Sequence, residues 1–317
     1  MSFFTKSSGL MITMYTNKCK DTFTNVHNML YDELKDSNKS EYGLIYSDTN
    51  TDMELVKTLN NIHPNMLIFY TAPMSKTSSL DDKKLCCQRL EGLSFVPQYV
   101  KDIHKCIDIS GDELLYVKHR SKSGSTDVHI VSKDEIIANK DKYTPDSYVI
   151  QRNVSNPVLI QDKRYKLRIY LLLHNKQIYI HQSFFGLLAS KIYDPLDTTH
   201  QNLIDMNIIH QTPETKWLLP HDISGNEEIF KNILVVSSKI KDIFRTEIDS
   251  ISNNEYCILG ADYVLNDQKQ PFLIEINHRS NYKHPTKINK SVDVPILFDA
   301  YKVMISGTNN NTNYILI

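Results

Sequence analysis

The stretch CILGADYVLNDQKQPFLIEINHRSN, residues 257–281, constrains the fold more than any other part of the chain. Two apolar arms flank a polar, turn-like Asn266–Gln270, and Pro271 stands where the second arm begins, which is the pattern of a buried β-hairpin. If Leu265 pairs with Phe272, then Val264 lies opposite Leu273 and Asp262 opposite Glu275, with Asn277 on the same face as Glu275. Like charges directly opposite on a sheet repel, and buried unpaired carboxylates are costly. Two readings resolve this. A divalent cation reverses the sign of the interaction, and Mg²⁺ typically takes one or two carboxylates together with substrate phosphates. Alternatively, the acids stand at an exposed hairpin end and are solvated.

The rest of the chain divides by periodicity. Residues 21–75 read as a small α/β unit: helix, strand at 42–47, helix at 51–62, buried strand at 65–71. Residues 72–79 read as a turn-rich boundary and 80–92 as one helix with an acidic start. Residues 112–131 read as strand, loop, strand, followed by a short helix at 133–143 and a strand at 146–154. A second hairpin is expected over 164–185, with Asn175–Lys176 at its turn. The loop-rich 194–224 holds the single tryptophan, Trp217. A long amphipathic helix is expected over 226–249 and a last helix over 294–305, with a polar linker before the terminal YILI.

Composition excludes several classes. A net charge of -1 and a pI near 6.9 give no basic field for nucleic acid or membrane. The five cysteines (19, 86, 87, 106, 257) are odd in number and lack CxxC spacing, so a reducing, cytoplasmic setting is expected. No HExxH-like pair suggests zinc, and neither GxGxxG nor GxxxxGK[ST] occurs. The N-terminal twenty residues match neither a secretory signal nor a membrane span.

Three further constellations bear on chemistry. Lys118 ends an apolar strand before a Ser/Gly loop containing Gly124 and Ser125, where a lysine and loop N–H groups can meet phosphates; a solvated lysine fits the same pattern. YVIQRNV, with Gln151 and Arg152, offers apolar residues and a backbone edge suited to a purine, or is simply a strand end. Arg164, Lys166 and Arg168 share one strand face, which requires anions or solvent nearby.

In this order, lysine–loop–strand, VIQR, DKRYKLRIYLLL, long helix and ADYVL…FLIEIN, the chain resembles the tubulin–tyrosine-ligase-like family of ATP-grasp amino-acid ligases over residues 76–305. The family patterns are Q-K-Y, K-F-D-[IL]-R-x-[YW] and G-x-D…[WF]-L-[IL]-E-[VI]-N. The resemblance implies an α+β ATP-grasp fold: an N-terminal α/β domain (1–75), a central subdomain (76–145) and a C-terminal subdomain (146–317), the last two clasping ATP. It implies Asp262, Glu275 and Asn277 as ligands of Mg²⁺, with Mn²⁺ an alternative. Lys118, Arg164, Gln151, Arg152, Gly124 and Ser125 would bind ATP, and Lys118, Arg164 and Arg168 would stabilise the transferred phosphate. The implied activity joins an amino-acid donor to a protein acceptor at an acidic or C-terminal carboxylate, tubulin among the candidates, through an acyl-phosphate. The chain has no long basic extension for a microtubule surface, so a compact ligase acting on soluble protein is expected. Lys166 stands where the family has aspartate, Leu188 where it has arginine, and His200–Asn202 is what remains of H-L-T-N. These departures keep two alternatives open: an ATP-grasp ligase of small molecules, and a catalytically weak nucleotide-binding relative.

Overall fold

A computed structural model of the chain describes residues 2–7, 9–36, 40–100, 109, 113–122, 127–196, 216–278 and 280–317. The fold is mixed α+β, and its described strands form a twelve-stranded and a four-stranded sheet.

The larger sheet begins with β1 (Ser2–Ser7), β2 (Met11–Thr16), β3 (Glu41–Tyr46) and β4 (Leu67–Thr71). β1 and β2 are antiparallel; β2, β3 and β4 run parallel, linked by helices α1 (Lys20–Leu34) and α2 (Met53–Ile62). Asp52 caps α2 by accepting from the Glu54 and Leu55 amides, satisfying donors that a helix start leaves free. Two short helices follow, α3 (Met74–Asp81) and α4 (Lys83–Arg89). Thus 72–79 is largely helical, and the expected single helix over 80–92 is broken. Asp82 is extended and its carboxylate caps α4, so the acidic pair ends one helix and starts the next.

The smaller sheet has the order β5 (Tyr99–Val100), β8 (Tyr148–Arg152), β6 (Leu115–His119), β7 (Val128–Val131). Helix α5 (Lys133–Ala138), held by a Ser132/Glu135 capping box, covers its own small core.

The chain then returns to the larger sheet through β9 (Leu159–Ile160), β10 (Lys163–His174), β11 (Gln177–His181), β12 (Phe185–Leu188), β13 (Lys216–Leu218), β14 (Glu255–Leu265), β15 (Pro271–His278) and β16 (Tyr314–Leu316). Asn175 and Lys176 both have positive φ, as a two-residue turn between β10 and β11 requires. One edge of β10 is shared by β9, β12 and β11; the other pairs with β14 along eight residues. β14 pairs β15 over residues 259–265 and, at Glu255 and Tyr256, pairs β4 in parallel. The N-terminal strands and the hairpin therefore belong to one hydrogen-bonded sheet.

Alternation along β10 supplies two cores. Tyr165, Leu167, Ile169, Leu171 and Leu173 face helices α6 (Asn226–Ile243) and α7 (Arg245–Ser250). Tyr170 and Leu172 face α1 and the final helix α9 (Val294–Ser306), which follows the single turn α8 (Thr286–Ile288). The helix expected over 226–249 breaks at Phe244, a fully buried residue that ends α6 and starts α7.

The hairpin departs from its expected register in one respect. Asp262 pairs with Glu275, but Leu265 pairs with Pro271 and Val264 with Phe272. A β-bulge beside Asp262 and Tyr263 leaves Ile274 as the extra residue. Outside the bulge the pairing shifts by one; inside it the inferred alignment holds.

Candidate functional site

The two sheets face each other across a cleft with about 780 Å³ of empty space. Its walls come from β6, β7 and β8 on one side and from β10, β14 and β15 on the other, with Lys83 at the start of α4.

The floor is a row of charge. Arg168 on β10 stands opposite Asp262 on β14, which stands opposite Glu275 on β15. Arg168 grips Asp262 with two parallel bonds, Nε to Oδ1 and Nη2 to Oδ2, the latter 2.9 Å long. Lys166 donates a third bond to Oδ2 at 3.1 Å. Asp262 is only 1% exposed. Burial pushes its carboxyl upward, but Arg168 and Lys166 outweigh burial and hold it well below the usual carboxylate range. The repulsion foreseen between the two acids is thus relieved on the Asp262 side by cations of the neighbouring strand.

Gly260 makes room for this arrangement. A Cβ there would lie 2.8 Å from Cδ and 2.9 Å from Nη1 of Arg168, and closer still to the Ser280 hydroxyl. The bulge adds a second device. Ile274 and Glu275 are neighbours in sequence and would face opposite ways on a regular strand, yet both line the cleft. Asn277 lies two residues on from Glu275, outside the lining; its amide donates to Glu275 Oε1 at 3.5 Å and to the Gly260 carbonyl at 3.4 Å.

From the opposite sheet, Lys118 on β6 enters the cleft, and its ammonium has no hydrogen-bond partner among the described residues. Burial pushes its pKa down; Glu275 opposes this, while Lys83 and Lys166 add to it. Such an ammonium is poised for an anion. Arg164 on β10 reaches across to donate to the Tyr116 hydroxyl of β6 and lies over the rings of Tyr116 and Tyr193. Its Nε is buried without a hydrogen-bond partner among the described residues.

Gln151 and Arg152 line the cleft from β8, but their side chains are engaged elsewhere. Gln151 donates to Cys87 Sγ at 3.2 Å, and Arg152 holds Glu113 and Gln98. Pro97, Val128, Val154, Val264 and Ile274 give the cleft apolar walls. Gly124, Ser125, His200 and Asn202 lie outside the described residues.

The structure thus brings Lys118, Gln151, Arg152, Arg164, Asp262 and Glu275 to one cleft, with Arg168 behind Asp262 and Asn277 beside Glu275. Sequence reasoning missed Tyr116, Lys83 and Ile274. Tyr116 was legible two residues before Lys118 on the same strand face. Lys83 arrives only through tertiary packing of α4, and Ile274 only through the bulge.

Among the described residues no group of three or more His, Cys, Asp or Glu side chains converges as a metal cage. The oxygen chemistry for a hard cation is nevertheless present. A carboxylate offers about four lone-pair sites, and Asp262 uses three of them. Glu275 accepts only the long bond from Asn277 among the bonds described. Two facing carboxylates and an amide suit Mg²⁺ shared with phosphate oxygens.

The model of the tubulin-tyrosine ligase family matches residues 49–212, just over half of the chain. The match includes β6, β8 and β10 and ends before β14. Among curated proteins, the chain is 22% identical over 195 residues to tubulin glycylase 3B of Tetrahymena thermophila, covering 52% of this chain and 16% of that protein. It is 22% identical over 235 residues to a probable tubulin–tyrosine ligase of Schizosaccharomyces pombe, covering 69% and 55%. It is 23% identical over 194 residues to a probable alpha-tubulin polyglutamylase of Tetrahymena thermophila, covering 52% and 45%. The chain therefore matches about half the length of two of these relatives and a small part of the third.

Proposed function

Because the chain belongs to the tubulin-tyrosine ligase family, we propose that it is an ATP-dependent ligase of ATP-grasp type that joins an amino acid to a protein carboxylate. The observation that carries this reading is the charged row Arg168–Asp262–Glu275, facing across one cleft the Lys118 of the opposite sheet, whose ammonium has no hydrogen-bond partner among the described residues.

ATP would lie between the sheets. The base would sit among Pro97, Val128, Val154 and Ile274, beside Gln151 and Arg152. Their side chains are already occupied and both edges of β8 are paired, by β5 and by β6, so the backbone proposed to meet the base is that of Asn153 and Val154 just past the strand. Lys118 and Arg164 would meet the phosphates with fixed positive charge where negative charge develops. Asp262, Glu275 and Asn277 would hold Mg²⁺ or Mn²⁺, which would supply positive charge against the phosphates. Arg168, outside the cleft lining, would act on the phosphoryl group in transfer through Asp262, whose carboxylate it holds in place.

In this mechanism an acceptor carboxylate oxygen attacks the γ-phosphorus and ADP departs, leaving an acyl-phosphate. The donor amine then attacks the acyl carbon, inorganic phosphate leaves, and the amine loses a proton. No side chain becomes covalently attached. The apolar walls favour exclusion of the water that would hydrolyse the acyl-phosphate. The relatives' names make tubulin the first acceptor to try, with glutamate, glycine and tyrosine as donors.

The test incubates the purified chain with ATP, Mg²⁺, a labelled amino-acid pool and a eukaryotic lysate, with Glu275→Gln in parallel. A labelled band requiring both ATP and Glu275 is expected. Mg·ATP binding with no transfer to any macromolecule would reject the protein ligase in favour of a small-molecule ligase or a nucleotide-binding relative with little turnover. The bond from Lys166 to Asp262 favours the latter as the second reading, because it occupies an oxygen of the would-be metal ligand.

A further inference from the structure

The charge balance of the cleft floor carries one step more, and it rests on the nucleotide-binding reading above. Two carboxylates, Asp262 and Glu275, face each other on β14 and β15. Two cations from β10 already serve the first of them: Arg168 makes two bonds to Asp262, and Lys166 makes one at 3.1 Å. The two signs cancel without any metal ion. The Lys166 side chain is 18% exposed and lines the cleft, while that of Arg168 is 11% exposed and lies behind Asp262. Lys166 is therefore the cation on the side from which a ligand would arrive.

We infer that Lys166 is a resident cation of the metal site. It supplies part of the positive charge that a divalent ion would otherwise bring, and it makes metal binding conditional on the nucleotide. Without phosphates, an incoming ion meets a neutral floor and an ammonium competing for the same carboxylate. With a triphosphate in the cleft, the added negative charge restores attraction for the ion, while the Lys166 ammonium turns toward the phosphates. Lys166 is in this sense a positioning residue for the metal, acting through Asp262. The roles of the cations differ in kind. Arg168 holds the carboxylate bidentately in a buried setting, and Lys166 is a single point charge on a flexible stem, free to exchange one anion for another.

The test is metal binding without turnover. Mn²⁺ is titrated into the full-length chain and followed by electron paramagnetic resonance, first alone and then with a non-hydrolysable ATP analogue. The wild type, Lys166→Met, Lys166→Arg and Glu275→Gln are compared. Lys166→Met keeps the stem and leaves Asp262 paired with Arg168, so the fold is expected to persist, and circular dichroism with thermal melting checks this. The expected result is weak Mn²⁺ binding by the wild type alone, at least tenfold tighter binding by Lys166→Met, binding without nucleotide as weak as wild type for Lys166→Arg, which keeps the charge, and loss of the tight site on adding Glu275→Gln to Lys166→Met. The ATP analogue should tighten Mn²⁺ binding by the wild type much more than by Lys166→Met. Equal affinities of the wild type and Lys166→Met in the absence of nucleotide would overturn the inference and leave the ligase reading intact. Failure of the wild type to bind ATP, read separately by nucleotide-induced thermal stabilisation, would remove the ligase reading and this inference with it.

Discussion

Replacing Asp262 by asparagine isolates the electrostatics of the cleft floor, because the shape is kept and only the charge is lost. At an effective dielectric constant of about 20, a unit pair at the 2.9 Å contact with Arg168 is worth about 6 kcal/mol, and the 3.1 Å contact with Lys166 about 5 kcal/mol. Desolvation of each buried ion offsets several kcal/mol of this. What remains is the asymmetry of a broken pair: Arg168 loses its only described acidic partner in a buried position. We expect a loss of about 3–5 kcal/mol at pH 7, measured by urea unfolding. The sign with pH is fixed by the depressed carboxyl of Asp262. Its contribution is fully present above the unfolded-state value of about 3.9 and is lost as pH falls toward the folded-state value, by up to about 1.4 kcal/mol per pH unit. The gap between wild type and variant should therefore be constant from pH 7 to 5 and narrow below pH 4. A loss under about 1 kcal/mol, or a gap that widens in acid, would refute the assignment of Asp262 as a buried anion held by two cations.

Other expectations follow from the same geometry. Lys118→Met removes a buried ammonium with no hydrogen-bond partner among the described residues, so it should raise the melting temperature at pH 7 while abolishing stabilisation by Mg·ATP. Because the folded-state pKa of Lys118 is lowered, that gain should shrink as pH rises toward the ordinary lysine value; an undiminished nucleotide effect would remove Lys118 from the phosphate site. Gly260→Ala should displace Arg168 and cost about 1–3 kcal/mol by overpacking, together with loss of transfer activity; wild-type activity would show that Arg168 tolerates the shift. Cys87, buried behind Gln151 with its thiol pushed up to about 11, should resist iodoacetamide at pH 8 until urea unfolds the chain. Rapid alkylation of the native protein at Cys87 would contradict its burial.

Period-two alternation located both hairpins, and it located Asp262, Glu275 and the Arg164–Lys166–Arg168 face, because side-chain direction on a strand is fixed by counting. Counting fails at a bulge. Ile274 adds one residue without changing the apolar pattern, so the Asp262–Glu275 pairing was foreseen while the outer half of the hairpin was misaligned. The break at Phe244 was hidden for a similar reason: the apolar stripe of α6 continues into α7, and burial of the ring, rather than a glycine or proline, marks the junction. Segment 72–79 misled through its serines and threonines, which favour turns in isolation but form α3 here, with Thr77 and Leu80 buried. Ion pairing was the least legible feature. The identity of Lys166 was plain, but its bond to Asp262 depends on which strand lies beside β10, and local sequence carries no record of that.

The parallel pairing of β4 with β14 has a consequence for descent. Glu255 and Tyr256 hydrogen-bond with the N-terminal strands, and six residues farther along the same strand stands Asp262. A shortened relative beginning at α3 would leave that stretch of β14 bare, and an uncovered strand edge invites pairing with other chains. The first seventy-five residues are thus no detachable appendage. Their removal would call for another strand or helix to cover the same edge.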